Sequence, residues 1–349
     1  MIRQKIAYAV STLAVCVLTV LLLFCGPYAA EAVRSALALF VSRVLPPLFP
    51  YMVLSRMIVS MDLLAPLTRR RNPARLFCLP DRAASVLLTG LLCGFPVGAA
   101  GTCTLYENGG IGRRDAGRLA ALSSNTGPAF VLGTAAALWD SRAYGVFLFA
   151  VQTLSALIIA FLAARRVPAD TVYTVNADAK ETSGGCGSFS AELCRGISES
   201  ASACLTVCAY IVFFRVLAAI CSLFCPGLAP VFGVIFEFST GCADGASLGG
   251  YAGIFLTGFA VGSAGLCVMM QNYNYLGRHG IPTKLLWGTK ILQGFLCGAA
   301  SAVFFRWFPL DPGGSSAVFA ETFSLNAGIV LLSVLLLLSK VYKISNHVI

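Results

Sequence analysis

The sequence of 349 residues contains few charged side chains. Asp, Glu, Lys and Arg make up only 11% of the residues, less than half of the roughly 25% that is typical of soluble domains. Hydrophobic residues reach 58%, which is more apolar surface than one soluble core can bury. The composition therefore excludes an ordinary soluble protein and predicts an all-α polytopic membrane protein in the lipid bilayer.

Histidine is also scarce, with two residues, and the 14 cysteines include no C-x-x-C pair. These counts give neither a zinc-site pattern nor a disulfide framework. No nucleophile–base pair and no phosphate loop is recognisable, so we expect no enzyme activity, metal or cofactor. The net charge of +10 comes from basic residues in short loops between apolar runs. Membrane topology explains these residues better than nucleic-acid binding does.

The apolar runs predict the membrane segments. They lie at 6–25, 33–60, 85–106, 118–138, 143–164, 201–225, 228–238, 250–270, 285–306 and 323–339. The first run is long enough to be a retained N-terminal transmembrane helix within residues 1–30 rather than a cleaved signal peptide. Five arginines between positions 69 and 82 predict a cytoplasmic loop by the positive-inside rule.

A break in the segment near 85–106 suggests a re-entrant hairpin. Gly94-Phe95-Pro96-Val97-Gly98 interrupts a helix, and basic residues lie on both sides of the segment. A hairpin that enters and leaves on one side keeps both basic loops in the cytoplasm. We therefore expect a first membrane repeat at 31–166, a polar cytoplasmic linker at 167–199 and a second membrane repeat at 200–349.

The two halves share a short pattern. An offset of 168 residues places Leu88-Thr89-Gly90 on Leu256-Thr257-Gly258 and Gly94 on Gly262. This match predicts two inverted repeats, as in many secondary transporters, with a second re-entrant hairpin near 250–270. The basic residues that follow 250–270 favour the opposite side of the membrane, so charge and symmetry disagree at this point.

Polar clusters within the apolar sequence are the candidate site. Hairpin tips expose helix N-termini that suit a carboxylate or phosphate, and polar groups at membrane depth are costly unless they meet a ligand or water. The predicted substrate-binding residues are Gly94, Phe95, Pro96, Gly98, Ser123, Ser124, Asn125, Thr126, Ser239, Thr240 and Gln271. The predicted ion-coupling residues, for a proton or Na⁺, are Glu237, Asp244 and Glu107. Weaker candidates are Asn272, Gln293 and Arg215. A simple kink, helix capping and an interfacial position remain the alternatives for these clusters.

Three motifs in this order resemble the YlbJ/SpoVV-type sporulation integral membrane proteins. They are Cys93-Gly94-Phe95-Pro96-Val97-Gly98-Ala99, Ser124-Asn125-Thr126-Gly127-Pro128 and Glu237-Phe238-Ser239-Thr240-Gly241, and the resemblance runs from about residue 30 to 340. The chain departs from the family at Ala100, where many relatives have lysine, and at Ser239-Thr240, where Thr-Asn is more usual.

The resemblance implies a nucleoside-recognition (Gate) domain fold similar to concentrative nucleoside transporters. It also implies a transporter that carries a small anion, dipicolinic acid, across the outer forespore membrane during sporulation. Two alternatives stay open: a nucleoside as the substrate, and a membrane protein that serves spore assembly without transport. A homo-oligomer also stays open.

Overall fold

The computed structural model describes residues 2–61, 63–64, 72–166 and 189–312, and these residues form helices and connections without a strand. The α-helices are α1 Ile2–Phe24, α2 Gly26–Leu39, α3 Leu45–Ser60, α4 Ala83–Cys93, α5 Val97–Glu107, α6 Arg113–Ser123, α7 Ala136–Leu138, α8 Arg142–Arg166, α9 Phe189–Phe224, α10 Ala229–Phe236, α11 Phe238–Leu248, α12 Gly250–Ser263, α13 Gly265–Arg278 and α14 Lys284–Trp307. Two π-helical stretches, Phe40–Val44 and Ala129–Ala135, and two short 3₁₀ helices, Pro73–Phe77 and Pro226–Leu228, connect them.

Within the described residues, four helical segments are long and apolar enough to cross a membrane: Arg142–Arg165, Phe189–Phe224, Gly250–Arg278 and Lys284–Trp307. A fifth crossing results if Tyr8–Phe24 and Gly26–Ser42, which meet at 93°, count as one bent span. The described residues therefore confirm an all-helical architecture with four or five candidate membrane spans. The remaining apolar runs are short or broken helices, and the predicted span at 323–339 lies outside the described residues.

Several predicted boundaries differ from the structure. Helix α9 begins at Phe189, so the last residues of the predicted linker 167–199 are helical, whereas 167–188 lie outside the described residues. The predicted span 118–138 is interrupted, because α6 ends at Ser123 and residues 124–127 are unwound before the π-helical stretch. Arg118 does not lie in the basic loop after the segment 85–106. It is buried in α6 and pairs with Asp115 at 2.7 Å.

Helices α4 and α5 form the first hairpin. Gly101 of α5 packs against Val86 of α4, and the turn between the helices contains Gly94 at φ +77°. This φ is in the left-handed region that favours glycine. A Cβ at Gly94 would also collide with the backbone of Gly127, so this position requires glycine for two reasons.

The second hairpin lies at Glu237, and the expectation of a hairpin near 250–270 is wrong. Helices α10 and α11 fold back on each other so closely that a Cβ on Gly241 would lie 2.5 Å from Cα of Val234. In contrast, Gly250–Arg278 is one candidate span. Its break is one residue, Ala264 at φ +65°, so α12 and α13 form a single broken helix rather than a hairpin.

The order of elements therefore occurs twice. The first unit has a long helix (α2 to α3), a hairpin (α4, α5), a broken helix (α6 to α7) and a long helix (α8). The second unit repeats this order with α9, then α10 and α11, then α12 and α13, then α14. The two hairpin motifs match at an offset of 143 residues, with Phe95 on Phe238 and Gly98 on Gly241. The offset of 168 pairs a hairpin with a broken helix, so it is not the structural register.

Equivalent helices of the two units pack antiparallel. Residues of α2 and α3 contact residues of α9 in the reverse order along the chain. The pairs are Ser35 with Arg215, Met52 with Cys204, and Ser60 with Glu192. The last helices behave in the same way, because Tyr144 of α8 contacts Ser301 of α14 and Gln152 contacts Gln293. The polypeptide thus runs in opposite directions through these two pairs of equivalent helices.

Candidate functional site

A cavity of about 90 Å³ lies between the two units. One water molecule needs roughly 10–15 Å³, so the cavity has room for several waters or a small ligand. Four interruptions of helical structure contribute to its wall: the tip of each hairpin, the unwound residues 124–127 and the first turn of α13. The wall residues at these places are Phe95, Pro96, Thr126, Gly127, Glu237, Phe238, Ser239, Cys267, Val268 and Gln271.

The tip of the first hairpin is held against the unwound segment. The backbone N–H of Phe95 donates to the carbonyl oxygen of Asn125 at 2.8 Å. Behind the tip, Gly98 packs so closely on Ser123 that a Cβ would collide with the Ser123 carbonyl oxygen. The phenyl ring of Phe95 meets that of Phe238 edge-on, with centroids 5.2 Å apart. The two hairpin tips are therefore in direct contact through equivalent residues.

The unwound segment is bonded to both units. The hydroxyl of Thr126 donates to the carbonyl oxygen of Val261 at 2.8 Å, close to the break in the second broken helix. The carbonyl oxygen of Thr126 accepts from Nε2 of Gln152 on α8 at 2.8 Å. Because Thr126 of the first helix break is bonded to Val261, just before the second break, a movement of one unit relative to the other has to change this contact.

Glu237 forms the tip of the second hairpin and is fully buried. Its carboxylate accepts four hydrogen bonds at the start of α11, from the backbone N–H and hydroxyl of Ser239 and of Thr240, at 2.5 to 3.1 Å. Glu237 is therefore the N-cap of its own helix, where negative charge is favourable. The carboxylate thus has a structural capping role, and its oxygens have little capacity left to coordinate a cation.

Arg215 of α9 lies next to the second tip. Its guanidinium donates to the hydroxyl of Thr240 at 2.6 Å and to the hydroxyl of Ser35 on α2 at 3.0 Å. This arginine thus connects the long helix of each unit with the hairpin that holds Glu237. A partly buried arginine with hydroxyl partners explains the charge within α9 without snorkelling to the surface.

Lys290 was not predicted from the sequence and is the least expected residue of the site. It is 2% exposed in the second turn of α14, and its ammonium donates to Oδ1 of Asn125 at 2.8 Å and to Oε1 of Gln293 at 2.7 Å. Gln293 also donates to Asn125 and to the backbone carbonyl of Gln152. The signal that could have found Lys290 is its charge inside the predicted apolar span 285–306, since a charge at membrane depth is expensive.

The structure brings only part of the predicted site to the cavity. The substrate-binding candidates that line it are Phe95, Pro96, Thr126, Ser239 and Gln271, and Glu237 lines it as well. Those outside the wall are Gly94, Gly98, Ser123, Ser124, Asn125 and Thr240, which pack or bond against wall residues or their neighbours. Asp244 lies against Gly233, within the second hairpin. Glu107 is exposed and pairs with His279 at 3.1 Å, so it does not join the cavity wall.

Some buried polar atoms have no hydrogen-bond partner within the described part of the chain. They include the hydroxyls of Ser123 and Ser124, Oε1 of Gln152 and the amide of Asn272. Such atoms are costly unless water or a ligand reaches them. Among the described residues, no group of three or more His, Cys, Asp or Glu side chains could hold a metal ion.

One known protein is similar to part of the chain. The sporulation integral membrane protein YlbJ of Bacillus subtilis is 28% identical over 137 residues, which are 37% of this chain and 32% of the relative. The chain thus spans about a third of the length of that curated relative. No protein-family model and no solved structure matches significantly. The partial similarity and the apolar helices together support an integral membrane protein related to sporulation membrane proteins, and such a relative fits a non-enzyme in general terms.

Proposed function

We propose that this protein is a secondary membrane transporter of a small organic anion. The observation that carries the proposal is the meeting of two hairpin tips and two helix breaks at one cavity between the two units. Interrupted helices are tolerated at membrane depth where they line a cavity, and transporters form their binding sites from such breaks. No other part of the described chain collects these features.

An inverted arrangement of the two units supports alternating access. The element order occurs twice, and the two pairs of equivalent long helices pack antiparallel. For this proposal we count three crossings in each unit, two long helices and one broken helix, because a hairpin returns to the side where it began. In the first unit this counts the interrupted helices α2 to α3 and α6 to α7 as crossings in addition to the candidate span α8. An odd number reverses the orientation of the next unit, and rocking of inverted units around a shared site is a common transport mechanism.

The lining suits a small planar anion. The rings of Phe95, Phe130 and Phe238 surround one part of the cavity, with Phe238 at 5.2 and 4.7 Å from the other two. Aromatic rings of this kind can stack on a heteroaromatic substrate. Ser239 and Gln271 provide polar groups in the wall, and the first turn of α13 offers unpaired N–H groups of a helix N-terminus. Dipicolinic acid, the substrate implied by the family resemblance, has this chemistry.

The similarity to a sporulation protein supports a place of action as well. We propose that transport occurs across the outer forespore membrane, where dipicolinic acid enters the developing spore. The sequence predicts ion coupling by Glu237. We no longer propose this role, because Ser239 and Thr240 already donate hydrogen bonds to the Glu237 carboxylate.

Uptake into proteoliposomes tests the proposal. The full chain is purified and reconstituted, and uptake of labelled dipicolinate and labelled uridine is measured for the wild type, Gln271→Ala and Asn274→Ala. We expect saturable dipicolinate uptake that Gln271→Ala reduces. The control Asn274→Ala, on the same helix but outside the cavity wall, should retain it.

Other outcomes separate the alternatives. Uptake of uridine alone would favour a nucleoside transporter over an anion transporter. Uptake of neither substrate by wild-type protein, together with normal sporulation of a strain carrying Asn125→Ala, would contradict transport and favour a role in spore assembly.

A further inference from the structure

Lys290 carries a buried positive charge that no acidic side chain neutralises at close range. Its two hydrogen-bond partners, Asn125 and Gln293, are neutral amides. Among the described residues no carboxylate lies within salt-bridge distance of its ammonium. A buried charge without a counter-charge is unfavourable in comparison with the same charge in water. Such a residue is retained at this cost where its charge has a function.

The hydrogen bonds of Lys290 are compatible with both of its protonation states. A neutral amine has two N–H donors, and the two amide oxygens use both. The ammonium form has three donors, so one N–H and the positive charge then lack a partner within the described chain. Proton binding therefore leaves the network intact and creates a demand for an anion.

The charged groups on the neighbouring helices do not supply a negative charge to the Lys290 ammonium. Helix α14 packs against α12, α8 and α6. Helix α12 has no charged residue, and α8 contributes the buried Tyr144 and arginines near its two ends, Arg142, Arg165 and Arg166. On α6, Asp115 is paired with Arg118 at 2.7 Å, and Arg113 donates to the carbonyl oxygen of Gly280. On α14 itself, the titratable neighbour is the buried thiol of Cys297.

The ammonium is hydrogen-bonded to a residue adjacent to the cavity wall. Asn125, which accepts its hydrogen bond, precedes Thr126 and Gly127 of the wall. Gln293 donates to the carbonyl oxygen of Gln152, whose side chain in turn donates to Thr126. Two charges attract each other more strongly when the surroundings exclude water, because the dielectric constant is low there. An anion in the cavity and a proton on Lys290 therefore stabilise each other.

We propose that Lys290 is the proton-coupling residue, so that one proton binds its Nζ lone pair with each anion and leaves on the other side of the membrane. This inference rests on the proposed transport function. Because the coupling free energy is reciprocal, protonation raises the affinity for the anion by the same factor as the anion raises the affinity for the proton. Lys290 is thus a positioning and coupling group rather than a ligand in the cavity wall.

The test compares two modes of transport in proteoliposomes with labelled dipicolinate. Net uptake is driven by an inward proton gradient, and counterflow is measured with equal pH and unlabelled dipicolinate inside. A pH dye in the lumen reports proton movement. The variants are Lys290→Gln, Lys290→Arg and the control Lys284→Gln, which removes an exposed lysine at the start of the same helix.

For the wild type and Lys284→Gln, we expect the gradient to accelerate net uptake about tenfold and the lumen to acidify with it. Lys290→Arg should retain counterflow but lose the response to the gradient, because arginine keeps its charge and cannot release the proton. Lys290→Gln should lose the gradient response and show at least about tenfold weaker counterflow.

Two results would overturn the inference. The first is wild-type uptake without acidification of the lumen, which needs no variant and holds even if a variant does not fold. The second is a normal gradient response of Lys290→Gln. If wild-type protein transports no dipicolinate in either mode, the proposed function itself fails, and the two failures are thereby distinguished.

Discussion

At the scale of single residues, the site is formed by side chains that satisfy helix ends and gaps in the backbone. Glu237 supplies acceptors to the first N–H groups of α11, and Thr126 bonds to the carbonyl oxygen of Val261. These bonds keep interrupted helices stable in a setting where water does not provide replacements. The consequence is that substitutions at these residues change stability as well as function.

Glu237→Ala should lower the stability of the protein measurably. The substitution leaves the backbone N–H groups of Ser239 and Thr240 without their buried acceptor, which costs roughly 1–3 kcal/mol per unsatisfied group. Thermal unfolding of the purified protein in detergent measures the change. Glu107→Ala is the control, because the Glu107 side chain is about half exposed and most surface substitutions stay within about 0.5 kcal/mol. Equal melting temperatures for the two variants would contradict the capping role.

At the scale of helices and hairpins, close contacts between glycine and backbone determine how the elements fit. Gly98 lies on Ser123, and Gly241 lies on Val234, each at the same place in its hairpin. The first contact sets the distance of the first hairpin from α6, and the second sets the distance between the two helices of the second hairpin. They also explain why the two hairpin motifs match at glycine positions.

Gly98→Ala should separate the first hairpin from α6. The new methyl group would overlap the carbonyl group of Ser123, a backbone atom that cannot rotate away, and overpacking of this kind costs about 1–3 kcal/mol. Gly288→Ala is the matched control within a helix, because its methyl group would meet no atom within 4 Å. We expect a lower melting temperature for Gly98→Ala and an unchanged or higher one for Gly288→Ala. The reverse order would show that the helices do not pack as described.

The first hairpin could be predicted from the sequence and the second could not. Glycine and proline at 94–98 break a helix in a recognisable way. The turn at Glu237 depends on one extended residue, φ −144° and ψ 112°, and on a carboxylate that caps the following helix. No glycine or proline marks that position. The glycine matches at an offset of 168 predict a hairpin at 250–270 instead. There, a single left-handed residue, Ala264, breaks the helix without reversing its direction.

Part of the candidate site could likewise be predicted from the sequence, and part could not. Motifs with several polar residues led to Thr126, Glu237 and Ser239 in the cavity wall. Lys290 and Gln152 are single polar residues in apolar helices, and their neighbours in space are 165 and 26 residues away in sequence. Only tertiary structure brings such residues together, so hydropathy cannot identify the network they form.

At the scale of the whole molecule, the proposed alternating-access transport by two inverted units requires the hairpin tips to move relative to each other. Phe95 and Phe238 touch at the tips, and their contact closes one part of the cavity. If the contact opens during each cycle, a covalent link between the two positions blocks transport. Phe95→Cys with Phe238→Cys, in a background without accessible cysteines, provides that link through a short bifunctional thiol reagent.

We expect the reagent to abolish dipicolinate uptake by the double variant, and cleavage of a reducible linker to restore it. Each single variant, compared with its own untreated uptake, should lose much less than the double variant, and a reducible linker should restore only the double variant's uptake, since one thiol cannot link the two tips. Full uptake by a double variant that is completely cross-linked would mean that the tips stay together, and transport would then need another moving element.

The proposed inversion of the two units also makes a prediction about sidedness. In each hairpin both helix ends lie opposite the tip, and the two tips meet at the cavity. If the units are inverted, the open end of the first hairpin faces one side of the membrane and the open end of the second faces the other. Asn108, just after α5, and Ser247, near the end of α11, are exposed positions at these two ends.

Single cysteines at Asn108 and Ser247 should therefore react with a membrane-impermeant thiol reagent from opposite sides of oriented vesicles. The basic loop before α4 predicts that Asn108 lies on the cytoplasmic side, so Asn108→Cys should react in inside-out vesicles and Ser247→Cys in right-side-out vesicles. Permeabilised vesicles provide the control in which both react. Labelling of both positions from one side would contradict inversion, and the antiparallel packing of α8 and α14 would then require a different path through the membrane.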